Sequence, residues 1–341
     1  MAINKTSPQQ LSFKDDIEAE FGPNTGRTLG NYRLTQSVGQ LNLPLDSGVP
    51  TSGQIKFSDF YGKKLNVVVN CYSTNAQNGG ATEYRVNART KKYNTNKVTV
   101  IGGFHAKKIS GSKIIIHVNK KFGSDDNNNA NRCALRTGNF NNAAAVQIDV
   151  GSNAKILGAG GKGGKGQNYS GNGSPGNTGS SGLGVSYNGA VVNVSNGAII
   201  RAGFGGGGGG AGGRQVDKGE DRKASGAGGG GGQGFPGGAK GAPGIGAANT
   251  NTVSANDNAT AGDEFGPGQG GTANQNASQA YGANGGEGGS VGQAADAGGN
   301  AQGTGGAGGS NGAAIRRGSG FSVTINNSGT IQGSTSATGV S

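Results

Sequence analysis

The chain has 341 residues, of which 75 are glycine and none is tryptophan, and its formal net charge is +12 at pH 7. Hydrophobic residues make up only 31% of the chain and aromatic residues 6%. Both values are below the usual share of a packed enzyme, so the composition disfavours catalysis. The sequence has no apolar run near the roughly 18 residues of a membrane span, and no basic-then-apolar signal pattern. We therefore expect neither membrane insertion nor signal-directed secretion.

Residues 1–64 form the first of three regions that differ in composition. Their glycine content is ordinary and their charge is mixed. An acidic cluster at residues 15–20 predicts the start of a helix, because carboxylates stabilise the positive end of a helix dipole.

Residues 65–157 are rich in strand-forming residues and carry most of the positive charge. Between Lys63 and Arg136 there are 14 basic residues against three acidic ones. Nucleic acid is disfavoured as a partner, since the aromatic residues needed for base stacking are sparse. An acidic partner protein or an anionic cell surface fits the charge. The alternative is a solvated strand face, because lysine pairs such as 107–108 and 120–121 also protect sheet edges from misassembly.

Conventional site chemistry is scarce in the sequence. His105 and His117 have no carboxylate or cysteine at ligand spacing, so structural roles are expected. Cys71 and Cys133 are 62 residues apart, a separation typical of neither a metal site nor a disulfide framework. Two free thiols are expected, with a disulfide between them as the open alternative. Residues 125–129 are rich in oxygen ligands but lack a calcium-loop spacing, so a surface turn is favoured. No catalytic residue, cofactor or metal is predicted.

A strand-like unit recurs along the chain. It spans residues 145–158, 190–200 and 321–333, with earlier relatives at 113–118 and 98–101. In its full form it alternates β-branched residues, turns at Asn, Ser or Gly, and forms a second short strand. Such repeats predict a mainly β fold of short stacked rungs, solenoid-like, that bury their Val and Ile stripes together.

Residues 158–312 hold 55 of the 75 glycines, including an unbroken run from Gly205 to Gly210. Collagen is excluded, because it needs glycine at every third position and abundant proline, and this chain has eight prolines. Stacked rungs would fix both ends of each glycine block, and glycine lets backbones approach closely enough to hydrogen-bond one another. We therefore predict a C-terminal bundle of glycine-rich polyproline/polyglycine II helices, with disorder as the alternative.

The junction between rung and glycine block resembles a known family. A Val/Ile rung, an Asn-Gly type turn and an Ile lead into glycine-rich runs at residues 157–161 and 202–206. This pattern, over roughly residues 145–341, resembles the glycine-rich distal tail-fibre adhesins of T-even-type bacteriophages. The resemblance implies a sandwich of glycine helices that presents variable loops to a host receptor.

The N-terminal region resembles a different group of viral proteins. Residues 11–22 and 49–62 are similar to segments that open many virion structural proteins of large tailed phages. The resemblance implies a virion-attachment module over residues 1–64, followed by a basic β-rich domain (65–157) and a glycine-rich repeat domain (158–341). The adhesins dock through a tryptophan-containing N-terminal region, which this chain lacks. Its position on the virion therefore stays open between a fibre tip, the baseplate, the neck and the head.

Loops within the glycine-rich region are the expected binding elements, because binding residues gather on loops held by a rigid scaffold. The charged segment 214–223 lies between two glycine runs, and further excursions span 247–263 and 274–281. Exposed tyrosines offer stacking surfaces for sugar rings. The candidate receptor-binding residues are Arg214, Asp217, Lys218, Glu220, Asp221, Arg222, Lys223, Tyr169, Tyr187 and Tyr281.

The sequence thus indicates a bacteriophage virion structural protein, a tail-fibre or tail-tip adhesin that binds the host surface through loops of a glycine-rich scaffold. Expected partners are other virion proteins, through the N-terminal module, and a bacterial surface glycan or outer-membrane protein. Several copies per particle would reinforce weak contacts. The expected location is the virion, after assembly in the host cytoplasm. The alternative is a baseplate, neck or head-decoration protein without receptor contact; ice binding and depolymerase activity are less favoured.

Overall fold

The computed structural model describes the strands of the predicted rungs and nearly all of the glycine-rich region. The described residues are 3–19, 29, 36–38, 41–43, 49–50, 52–63, 67–71, 83–85, 113–124, 128–137, 143, 145–217, 219–245, 252–274 and 280–340.

Strands dominate the regular structure of these residues. They are β1 (Gln36–Val38), β2 (Leu41–Leu43), β3 (Val67–Cys71), β4 (Glu83–Arg85), β5 (Lys113–Val118), β6 (Lys121–Gly123), β7 (Cys133–Arg136), β8 (Ala145–Val150), β9 (Lys155–Leu157), β10 (Ser181–Val185), β11 (Ala190–Val194), β12 (Ile199–Arg201), β13 (Gly213–Asp217), β14 (Glu220–Ala224), β15 (Thr252–Val253), β16 (Ile315–Arg317), β17 (Val323–Asn327), β18 (Thr330–Gln332) and β19 (Ala337–Thr338). The short helical turns are a π-helical turn at Phe13–Glu18 and a 3₁₀ turn at Phe57–Phe60.

The N-terminal region begins with the π-helical turn. Ser12 caps it, since its hydroxyl accepts a hydrogen bond of 3.0 Å from the backbone N–H of Asp15. Asp15 and Asp16 occupy the first turn, which confirms the predicted helix start; Glu20 lies outside the described residues. A small apolar cluster, separate from the main core, contains Ile3, Leu11, Ile17, Val49 and Phe60.

Three parallel sheets form the body of the fold. The chain visits them in turn: β3 and β4 enter the first two sheets, and each of the four later circuits adds one strand to all three. In spatial order, the sheets are β17-β11-β8-β5-β3, β18-β12-β9-β6-β4 and β19-β16-β10-β7. This is a solenoid of stacked rungs, and it confirms the predicted mainly β fold.

The predicted rungs lie in register within the solenoid. Residues 145–158 form β8 and β9, 190–200 form β11 and β12, and 321–333 form β17 and β18, while 113–118 form β5. The predicted strand at 98–101 lies outside the described residues.

The core is a stack of β-branched side chains along one sheet. Ile116 pairs with Ile148, Ile148 with Val192, and Val192 with Ile325. The first three are fully buried and Ile325 is partly buried at the last rung. Each fully buried side chain of this size contributes about 1.5–3 kcal/mol, so rung stacking supplies the apolar burial that the glycine-rich region lacks.

His117 and Cys133 belong to this solenoid. His117 is buried in β5, where burial lowers its pKa although Asp149 opposes the shift. Cys133 is a buried free thiol in β7, and burial raises its pKa to about 11. His105, the side chain of Cys71 and residues 125–127 lie outside the described part of the chain. Within that part, no three His, Cys, Asp or Glu side chains gather where they could hold a metal ion, and no helix is long and apolar enough to cross a membrane.

The glycine-rich segments leave the solenoid after β9 and β12. The first excursion spans residues 158–180 and the second spans 202–314. Apart from β13, β14, β15 and isolated bridges, the described residues of the two excursions are in neither helix nor strand. Their backbone hydrogen bonds recur at every third residue, as in Gly161 N–H to Phe204, Gly164 N–H to Gly207 and Gln167 N–H to Gly210, at 2.7, 2.8 and 3.1 Å.

The turns nearest the solenoid fasten the second excursion to it. Glu264 forms ion pairs with Lys121 of β6 and with Lys155 of β9, the latter at 3.0 Å. The Lys121 ammonium also lies 3.8 Å from the ring centroid of Phe235. Burial would raise the pKa of Glu264, but the hydrogen bonds and charges of the two lysines outweigh it and lower that pKa. Lys121 therefore does more than protect a sheet edge.

A single methyl group should disrupt the glycine-rich packing. A Cβ added at Gly207 would lie 2.1 Å from the carbonyl oxygen of Gly286, so the Gly207→Ala variant must push two backbones apart. We expect the free energy of unfolding to fall by about 1–3 kcal/mol, as measured by urea unfolding. The matched control is Gly266→Ala, since no described atom lies within 4 Å of a Cβ there. Equal stability of the two variants would contradict the close packing.

The Glu264 ion pairs should stabilise the fold in a pH-dependent way. Glu264→Gln should lower the free energy of unfolding at neutral pH by about 1–2 kcal/mol, because two part-buried lysine contacts lose their charge partner. Asp257→Asn is the control, since Asp257 pairs with Lys240 at the exposed surface and should cost less than about 1 kcal/mol.

The sign of the pH effect follows from the lowered pKa of Glu264. The stabilisation is present above the ordinary carboxyl value of 4.5 and is lost as the pH falls through the lower folded value. Thermal unfolding of wild type and Glu264→Gln should therefore converge in acid. A gap that widens in acid would contradict the assignment.

Candidate functional site

The charged segment 214–223 lies in a β-hairpin at the end of the glycine segments remote from the solenoid. β13 and β14 pair antiparallel from Gly213 opposite Ala224 to Asp217 opposite Glu220. Gly219 closes the turn with φ +83°, a left-handed conformation that glycine adopts without strain. Lys218 and the side chain of Asp217 lie outside the described residues.

The hairpin charges pair with one another, once across the two strands and twice along β14. Asp221 accepts from Arg214 Nε at 2.7 Å and pairs with Lys223 Nζ at 3.1 Å, while Glu220 pairs with Arg222 at 2.7 Å. Hydrogen bonding to each other raises the pKa of Arg214 and lowers that of Asp221. Because each pair is at least partly exposed to solvent, the pairs add little stability and can exchange for contacts with another molecule.

Tyr169 lies beside the hairpin. The Lys223 ammonium is 5.2 Å from its ring centroid, within cation–π range. The neighbouring Asn168 carbonyl accepts a 2.6 Å hydrogen bond from the Ser225 hydroxyl, and Gly171 bridges to Gly212. The reversal of the first excursion is thus packed against the hairpin.

Tyr281 lies on the other side of the hairpin and is 54% exposed. It borders a cleft of about 330 Å³ together with Arg214, Gln215 and the turn at residues 300–302. This turn was missed by sequence reasoning. The only signal for it is an Asn-Ala-Gln interruption between glycine runs.

The second and third predicted excursions meet the same end. β15 pairs with β14 through Lys223 opposite Thr252, and the Asn274 amide donates to the Ser254 carbonyl at 2.8 Å. Residues 246–251 and 275–279 lie outside the described part of the chain. The loop predicted at residues 247–263 does not extend as a single loop as far as Asp263. Its last residues run back to the solenoid, where the Asp263 N–H donates to the Gly266 carbonyl at 2.9 Å.

The structure does not bring Tyr187 to this end. Tyr187 lies between β10 and β11, is half-buried, and donates from its hydroxyl to the Ala143 carbonyl at 3.0 Å. The predicted residues that come together are Arg214, Glu220, Asp221, Arg222, Lys223, Tyr169 and Tyr281, with the backbone of Asp217.

The charged hairpin, the glycine-rich scaffold and most of the β-solenoid lie within a part of the chain that matches a family of phage tail-fibre adhesins. The family model described as phage tail fibre adhesin Gp38 matches residues 81–336. The chain belongs to this family and is a tail-fibre adhesin of a bacteriophage virion.

One solved structure shows a more distant likeness. The gp37–gp38 adhesin tip complex of the bacteriophage S16 long tail fibre matches with a TM-score of 0.40 and 20% identity, over 83% of this chain and 88% of that chain. This likeness is too weak to argue from. No curated protein matches the chain.

The two tyrosines should respond differently to loss of a hydroxyl group. Tyr187→Phe should lower the free energy of unfolding by about 1 kcal/mol, because it leaves the Ala143 carbonyl without that donor. Tyr281→Phe is the matched control and should leave stability unchanged, since its hydroxyl bonds to no described residue. Thermal unfolding measures both. An unstable Tyr281→Phe beside a wild-type-like Tyr187→Phe would reverse the assignment of the two residues.

Proposed function

We propose that this adhesin attaches its phage to the host through the hairpin end of the glycine-rich region. The observation that carries the proposal is that separate reversals of the chain meet at one end, remote from the solenoid. The described residues at this end are 168–172, the hairpin of β13 and β14, 252–256, Asn274, 280–282 and 300–303. They present mixed charges and an exposed tyrosine, while the segments behind them are mostly glycine. Binding residues are expected on such loops, held by a rigid scaffold.

The scaffold in this proposal is a bundle of polyglycine II helices. Hydrogen bonding at every third residue supports a three-residue turn. Close backbone contact supports it too, since a Cβ at Gly164 or Gly229 would lie 2.0 or 2.2 Å from a neighbouring carbonyl oxygen. At about 3.1 Å per residue, the segment from Gly158 to Gln167 would hold the reversal roughly 30 Å from the solenoid.

The receptor in this proposal is a bacterial surface glycan or an outer-membrane protein. The hairpin offers paired charges that can exchange partners, and the 330 Å³ cleft beside Tyr281 is of the size that takes a small group. An aromatic wall with polar neighbours suits a sugar ring. The proposed contact residues are Arg214, Asp217, Lys218, Glu220, Asp221, Arg222, Lys223, Tyr169 and Tyr281, with Tyr187 kept as a separate, untested candidate.

We further propose that residues 1–64 attach the adhesin to another virion protein. Phe57 is 43% exposed, and its ring lies 6.1 Å from that of Phe13, which packs against the small N-terminal cluster; this suits a contact surface. The family model is that of a tail fibre adhesin, and we propose another protein of the fibre as the partner. The phage would be of the T-even type, with assembly in the host cytoplasm. Several copies per particle would act together, because later contacts form at high effective concentration.

The proposed domain boundaries are 1–64, 65–157 and 158–341. The last two regions share the sheets of the solenoid, since β8 and β9 pair with β11 and β12. The role of the whole chain is binding, without a chemical step.

Competition for adsorption tests the proposed binding end. Purified wild-type protein should slow phage adsorption to host cells. The double variant Arg222→Gln/Lys223→Gln should compete at least about tenfold less well, the loss expected from a few charged contacts. Its fold should be intact, because neither side chain belongs to the apolar core of the solenoid.

The matched control removes two exposed lysines from the first glycine segment, as Lys162→Gln/Lys165→Gln. It changes the net charge equally and should compete like wild type. If both double variants lose competition alike, the effect is general charge and the hairpin is not the binding end. Antibody against residues 214–223 should also label fibre tips in electron micrographs; label elsewhere on the particle would contradict the proposal.

A further inference from the structure

A second cleft, of about 390 Å³, lies at the opposite end of the glycine-rich region, where its turns meet the solenoid. Its floor includes Arg201 of β12 and Gln332 of β18, which pair in register. Its walls include Phe265 and Val291, each from a turn of the second excursion. Nothing in the hairpin contributes to it, so it is a separate feature of the surface.

Arg201 is the unusual residue in this cleft. Its neighbour Ile200 points into the core, so Arg201 lies on the outer face of the sheet. It is nonetheless only 7% exposed, and its buried Nε and Nη2 have no hydrogen-bond partner among the residues that the structure describes. A buried, charged donor without an acceptor is costly, and its missing partner would have to enter from the cleft.

The nearby carboxylates do not satisfy Arg201. Glu264 is held by Lys121 and Lys155, and Asp263 accepts from two backbone N–H groups of its own turn. Burial lowers the pKa of Arg201 and the charges of Glu264 and Asp263 oppose this, but a guanidinium stays protonated in proteins. Three cations thus face two carboxylates, which leaves one positive charge uncompensated.

The walls of the cleft are apolar and fixed in place. Phe265 is 84% exposed and Val291 is 44% exposed, although both belong to turns that are anchored. The buried Gln233 amide anchors them: it donates to the Glu264 carbonyl at 3.0 Å and accepts from the Val291 N–H at 3.1 Å. A binding surface that is already ordered loses little entropy when a ligand arrives.

We propose that this cleft binds an acidic sugar, with its carboxylate on Arg201 and its ring against Phe265. The guanidinium fork matches a carboxylate through two parallel hydrogen bonds. An exposed phenyl ring is a stacking surface for the apolar face of a pyranose. One negative charge matches the one uncompensated cation, and the volume suits a ligand of one or two sugar units. This site adds a carbohydrate contact that does not depend on the hairpin.

Direct binding to the purified full-length protein tests the site. D-glucuronate is titrated by calorimetry and by ligand-observed NMR, with D-glucose and inorganic phosphate as comparison ligands. Glucuronate should bind in the millimolar range, and glucose and phosphate at least about tenfold more weakly, because each lacks either the charge or the ring. Equal binding of glucose, or preferential binding of phosphate, overturns the proposal.

Two variants in the cleft distinguish glucuronate binding at this site from nonspecific binding to the protein surface. Arg201→Met and Phe265→Ala should each weaken glucuronate binding at least about fivefold without lowering the melting temperature, since one removes an uncompensated charge and the other an exposed ring. Ile245→Ala removes an apolar side chain that is 65% exposed elsewhere and should bind like wild type. The hairpin variant Arg222→Gln/Lys223→Gln should also bind like wild type, whatever its effect on adsorption.

Binding that survives both substitutions overturns the proposal. So does absence of glucuronate binding in wild type. A photocrosslinking residue at position 265 tests the competing interpretation, that the cleft contacts another virion protein. If it links the adhesin to such a protein in assembled particles, the cleft is an assembly contact and the sugar site is excluded.

Discussion

The glycine-rich region depends on hydrogen bonds between backbones that approach without side chains between them. A segment that is in neither helix nor strand has no regular backbone hydrogen bonds of its own, so its buried N–H and C=O groups need partners on neighbouring segments. At Gly207 the N–H donates to Gly230 at 2.9 Å, while a Cβ would lie 2.1 Å from the Gly286 oxygen. The same position therefore needs a neighbour and excludes a side chain. Cooperative backbone pairing replaces the apolar core here.

Such pairing orders the chain only if the segments are aligned beforehand, because ordering glycine costs the most conformational entropy. The solenoid supplies the alignment. Its buried Val and Ile stripes fix the residues that leave and re-enter the rungs, and the turns at Phe235 and Glu264 fasten the second excursion to β6 and β9. The apolar stabilisation of the rungs thus supports a region that buries little apolar surface of its own.

The sequence predicts the elements that are stabilised by side-chain packing. It does not predict the contacts that are made by backbone groups alone. Period-two alternation identified the rungs, because one buried face leaves that signature. Glycine content identified the excursions but not which segments pair, since a Gly–Gly contact has no side chain to encode its partner. The charged hairpin was visible as an interruption of glycine. The turn at residues 300–302 and the Glu264 ion pairs could not be predicted from the sequence. A single Asn or Glu among polar loops has no distinctive pattern.

The two ends of the glycine-rich region are under different constraints. At the solenoid end, Glu264, Gln233 and Phe235 each contact a fixed partner, so a change there disturbs the attachment of the scaffold. At the hairpin end, Val216 is 61% exposed and the charge pairs are solvated, so side chains can change without altering the backbone contacts behind them. This separation is what a binding protein needs if its contact surface is to vary while its scaffold stays intact. The Arg201 cleft lies at the constrained end, where a ligand contact would be coupled to scaffold attachment and would tolerate less variation than the hairpin.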